Sequence, residues 1–84
     1  MTSWLKCEVK NGMMPGEFAI VMNISGGRQI SLFAAENFVR TNPGRLLVTV
    51  MEKKRDEALV YLPSNPFEIS SRTVTVPARE LLAE

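Results

Sequence analysis

The sequence predicts an all-β fold, a small compact barrel of about six strands built from two βββ-plus-helical-turn repeats with pseudo-twofold symmetry. Three observations predict it. Apolar residues recur with period two in every long segment. The stretch RQISLFAAENF at residues 28–38 returns as RTVTVPARELL at residues 72–82. With that shift of 44 positions (72 less 28), Arg28 falls on Arg72, Ile30 on Val74, Leu32 on Val76, Ala34 on Ala78, Glu36 on Glu80 and Phe38 on Leu82. Each copy also follows two other alternating segments, so the whole order recurs.

In the first segment Leu5, Cys7 and Val9 alternate with Lys6, Glu8 and Lys10, the pattern of a half-buried strand. EFAIVMNI places Phe18, Ile20, Met22 and Ile24 on one face, with Ala19, Val21 and Asn23 opposite, so it is apolar on both sides until its end. Directly opposed residues of an antiparallel pair share a face, and this sets the expected registers. For the hairpin closed by SGG, a three-residue loop pairs Met22 with Ile30 and Ile20 with Leu32, whereas a two-residue turn would set Met22 against Ser31. Gly27 then suits the left-handed last loop position. The same argument pairs Val9 with Phe18, Cys7 with Ile20 and Leu5 with Met22, leaving residues 10–17 as a long tip.

TNPG at residues 41–44 is the natural joint. Beyond it RLLVTV and EALVYL repeat the alternation, with Val50 expected opposite Ala58, Val48 opposite Val60 and Leu46 opposite Leu62. PSNPFEISS is longer than the matching connection in the first copy, and its two prolines argue against a tight hairpin, so it reads as an insertion. Each copy closes with a short helical turn, AAENFV or PARELLA. Pro77 suits a first helical position, and Glu36 and Glu80 suit the positive end of the turn. The expected organisation is one domain over 1–84, with repeat A at 4–39, the joint at 40–44 and repeat B at 45–82. Barrel closure would remove the open edges of a six-stranded sheet.

Eighty-four residues, 45% hydrophobic and 23% charged, describe an ordinary folded domain and not a disordered tail. Ten Lys plus Arg against nine Asp plus Glu leave +1, too little for a global field toward nucleic acid or anionic membrane. A lone cysteine points to a reducing, cytoplasmic setting. MTSWLKCEVK is too charged for a secretory leader, and no apolar run reaches the roughly twenty residues of a membrane span.

The chemistry-bearing residues are few. With no histidine and one cysteine, the usual general base, the Ser–His and Cys–His pairs and the common zinc sites are all missing, so neither enzyme activity nor a metal or cofactor is expected. Cys7, on the apolar face of its strand, reads as a structural thiol. Lys53, Lys54 and Arg55 are interleaved with Glu52, Asp56 and Glu57, three positive and three negative, which reads as a solvated tip.

The other tip, NGMMPGE, is apolar. It sets Met13 and Met14 side by side next to Pro15, where a turn cannot easily bury both. Trp4, on the polar face of the first segment, would extend that surface. These four residues are the expected partner-binding site of a non-catalytic protein-interaction domain, its partner another protein or a second copy of the chain. Arg28 and Arg72, opening equivalent strands, are a possible anion contact. With Lys53, Lys54 and Arg55 they define the alternative, a nucleic-acid-binding barrel.

Overall fold

The structure, a computed structural model, describes residues 1–82. The alternating segments are strands. In chain order they are β1 (Thr2–Lys6), β2 (Glu8–Asn11), β3 (Glu17–Ile24), β4 (Arg28–Ala35), β5 (Val39–Arg40), β6 (Arg45–Lys53), β7 (Glu57–Tyr61), β8 (Thr73–Pro77) and β9 (Leu81–Leu82). One sheet runs β8-β7-β6-β1-β9, with β5 also paired to β6, and the second runs β2-β3-β4. All pairings are antiparallel. The segment read as one first strand is thus split at Cys7 between the two sheets. Gly44 fits into this corner, where its carbonyl accepts the N–H of Cys7 at 3.3 Å.

The fold is all-β, but the sheets do not close into a barrel. Closure needs the free edge of β4 to find another strand, and the insertion occupies that edge instead. Phe67 N donates to Ser31 O at 2.9 Å, and Ser64 Oγ donates to Phe33 O. Beside β8 the second sheet brings up the end of β3, whose following loop is joined through Ser25 N to Thr75 O at 2.9 Å. The radius of gyration, 11.7 Å, is near the value of about 12 Å expected for a globular chain of this length.

The registers agree in part with expectation. Met22 opposes Ile30 and Ile20 opposes Leu32 around the Ser25–Gly27 loop, and Gly27 has φ +74°. In the first hairpin Val9 opposes Ile20 and Asn11 opposes Phe18, a slip of two residues from the expected pairing that keeps every face assignment. Leu5 lies in the other sheet, opposite Leu46. In the third hairpin Val50 opposes Val60, and an irregularity at Met51 brings Lys53 opposite Ala58. That bulge accompanies a bond from Val50 N to Met1 O at 2.7 Å.

One core joins the inner faces of both sheets. Leu5, Leu46, Val48, Val60, Leu62, Val74 and Val76 come from the larger sheet and its flank, and Ile20, Met22, Ile24, Ile30, Leu32 and Ala34 from the smaller. Each is worth roughly 1.5–3 kcal/mol for the larger aliphatic side chains. The two helical turns are single 3-10 turns, Glu36–Phe38 and Ala78–Glu80. Pro77 precedes its turn as an extended cap residue and is not the first helical position. After these turns β5 lies beside β6, and β9 lies beside β1.

Candidate functional site

The tip between β2 and β3 is a closed, bonded turn. Gly12 N donates to Glu17 O at 3.1 Å and Glu17 N to Met14 O at 3.2 Å, while Glu36 N ties the first 3-10 turn to Gly16 O at 2.8 Å. Gly16 has φ +78°, the left-handed region that costs glycine least. A Cβ on Gly12 would run into the backbone of Glu17, so this position too is sterically reserved for glycine. The turn therefore closes outside the core, and Met13 and Met14 are 84% and 66% exposed. Pro15 is exposed beside them.

Trp4 does not extend that surface. It lies in β1 opposite Leu47 and Leu82, is 8% exposed, and carries the Arg40 guanidinium 4.1 Å from its ring centroid. By alternation it lies on the face of β1 opposite Leu5. What covers that face comes from residues far away in the chain.

A different aromatic residue is exposed. Phe67, in the insertion, is 63% exposed and meets Phe33 edge-to-face, with centroids 5.2 Å apart and planes at 82°. Phe33 lies on the outward face of β4, opposite Ala19, and Val21 follows on the same face of β3. Ala35, two residues beyond Phe33, opposes Glu17 at the base of the methionine tip. The aromatic pair and the tip thus occupy the same end of the smaller sheet. In the sequence this surface is signalled by EFAIVMNI, which is apolar on both faces. Glu68 latches the insertion in place: Ser31 N donates to Oε1 at 2.7 Å and Ser31 Oγ donates to Oε2. The hydroxyl bond, then the amide bond, holds this carboxyl below its ordinary range.

The two arginines are used differently. Arg72 donates from Nε at 3.1 Å and Nη2 at 3.0 Å to Leu62 O, and its guanidinium stacks 4.6 Å from the Tyr61 ring centroid. Arg28 is exposed at the start of β4, opposite Ile24. Two of the five Arg72 N–H donors are thus taken up by the Leu62 carbonyl. At the charged tip Lys54 pairs with Glu52 at 3.6 Å, and Lys53, Lys54 and Arg55 are all exposed.

Cys7 is half-buried at the corner, packed against the core, and lines a shallow cavity of about 200 Å³ with Lys6, Val21 and Met22. Burial pushes its thiol from the ordinary 9.0 up to about 11, with the Arg45 charge acting in the opposite sense. Such a thiol is a weak nucleophile at neutral pH. Among the described residues no three His, Cys, Asp or Glu side chains converge as a metal site, and no helix is long and apolar enough to cross a membrane. Comparison with protein-family models, with curated proteins and with solved structures finds no match to this chain.

Proposed function

We propose that the chain is a non-catalytic protein-interaction domain that engages another protein through Met13 and Met14. One observation carries this reading: two adjacent methionines stand out in solvent on a turn fixed by three backbone hydrogen bonds and two conformationally demanding glycines. Unbranched, polarisable thioethers adapt to irregular apolar surfaces, and a rigid turn lowers the ordering cost of binding. Phe67 and Phe33, at the same end of the sheet, would widen the contact. The half-buried single thiol suits a reducing, cytoplasmic setting. An internal duplication is part of the proposal. It is supported by the recurrence of three antiparallel strands and a 3-10 turn, and by the exchange in which β5 flanks β6 while β9 flanks β1.

The double variant Met13→Ser with Met14→Ser tests it. Its melting temperature should stay close to that of the parent, since exposed tip substitutions change stability by only about 0.5 kcal/mol or less. Copurification from native cells should lose the partner with this variant and keep it with Lys53, Lys54 and Arg55 changed to Gln. Apolar binding should also persist at high salt. A folded double variant that retains the same partner refutes the assignment. Sedimentation of the purified parent would reveal a second copy as the partner instead.

A further inference from the structure

β5 meets β6 over two residue pairs, Val39 with Leu46 and Arg40 with Arg45. On the other side of β6, β1 sets Lys6 opposite Arg45. Opposed residues share a face, so Lys6, Arg45 and Arg40 form one cross-strand row of three positive charges. Like charges placed opposite one another destabilise a sheet. Among the described residues no carboxylate ion-pairs with any of the three.

Arg45 is partly buried at this place. Its Nη1 donates to Gly44 O at 2.8 Å, and its Nε is buried without an acceptor. Arg40 is held over Trp4, on the same face. Between them opens a cavity of about 300 Å³ lined by Trp4, Arg40, Thr41, Asn42, Pro43, Arg45 and Leu82, with no carboxylate in its walls among the described residues.

We propose that this cavity binds the phosphoryl group of a small phosphomonoester, held by Arg40 and Arg45. A phosphomonoester carries nearly two negative charges at neutral pH and matches two guanidinium groups, whereas a carboxylate neutralises one. Planar guanidinium forks suit its tetrahedral oxygens, and the Thr41 hydroxyl and Asn42 amide supply neutral donors in the same walls. The size is at the low end for small-molecule sites. Single-stranded nucleic acid fits less well, since it needs an aromatic face for its bases and the ring of Trp4 is covered by Arg40.

The site can be tested by following backbone amide resonances while adding inorganic phosphate and then glycerol 3-phosphate. A phosphoserine peptide and a single-stranded oligonucleotide lacking a terminal phosphate serve as comparison ligands. Saturable shifts centred on residues 40–45, with glycerol 3-phosphate at least as tight as the other ligands, support the proposal. Arg40→Gln should weaken that binding by about tenfold or more, and Arg40→Lys by less, because the charge remains but the fork is lost. Arg40 is exposed, so this variant keeps the fold even if Arg45→Gln does not. Unsaturable or scattered shifts, unchanged affinity in Arg40→Gln, or a clear preference for the peptide or oligonucleotide would each overturn it.

Discussion

Replacing Gly44 by Ala probes the corner where β1 passes into β2. An added Cβ would stand 2.5 Å from the carbonyl oxygen of Cys7 and 3.0 Å from Val9 Cγ2. The nearer atom belongs to the backbone and cannot swing aside, so the joint and the corner must separate by about 0.9 Å to restore an ordinary contact. Overpacking of this kind costs about 1–3 kcal/mol, against about 0.4–1 kcal/mol regained because alanine restricts the unfolded chain. A net loss of about 0.5–2 kcal/mol remains, and for a domain of this size each kcal/mol lowers the melting temperature by about 4–8 °C. Thermal unfolding followed by circular dichroism should therefore shift down by roughly 5–10 °C, and Cys7 should label faster with a bulky thiol reagent. Gly26→Ala is the matched control: nothing lies within 4 Å of its added Cβ, but φ is +90°, so its cost of about 1 kcal/mol is conformational and local. It should leave Cys7 labelling unchanged. A Gly44→Ala protein that melts at or above the parent temperature would refute the packing argument.

Two further predictions concern titration. Cys7 has its folded pKa raised from 9.0 to about 11, so its contribution to stability is complete below pH 9 and is lost as pH rises toward 11; Cys7→Ser should flatten this alkaline limb in pH-dependent melting curves. Glu68 has its folded pKa lowered from the ordinary 4.5, so its contribution is complete above that value and is lost as pH falls through the lower folded one. The protection factor of the Phe67 N–H against hydrogen exchange should then fall in acid as the insertion leaves β4, and in Glu68→Gln it should be low at all pH values with no acid limb.

Much of the fold is legible in the sequence wherever local pattern and turn chemistry suffice. Period two identifies β3, β4, β6, β7 and β8, and the face argument across Ser25–Gly27 yields the register of β3 with β4 outright. Parity survives even where register fails, because the observed slip in the first hairpin is two residues and moves no side chain to the other face. What parity cannot reveal is a strand that changes sheets. Residues 5–9 alternate without interruption, although β1 pairs with β6 and β9 while β2 pairs with β3, with Gly44 seated at the corner between them. The bulge at Met51 is equally silent, since both registers there bury apolar residues.

Exposure of Met13 and Met14 depends on a turn whose glycines are local and visible, so NGMMPGE announces it. Burial of Trp4 depends on Arg40, supplied 36 residues later (40 less 4), and on Leu82 near the chain end. The basic row is more distant still. Lys6 lies in the segment read as the first strand, Arg40 in the joint and Arg45 at the start of the strand after it, and they become neighbours only because β6 pairs with β1 and β5 together. A charge count of +1 conceals them, because it does not show that among the described residues no carboxylate ion-pairs with any of the three. In a small sheet protein the unneutralised charges that matter are therefore set by strand order, which amphipathic pattern leaves open, and not by composition.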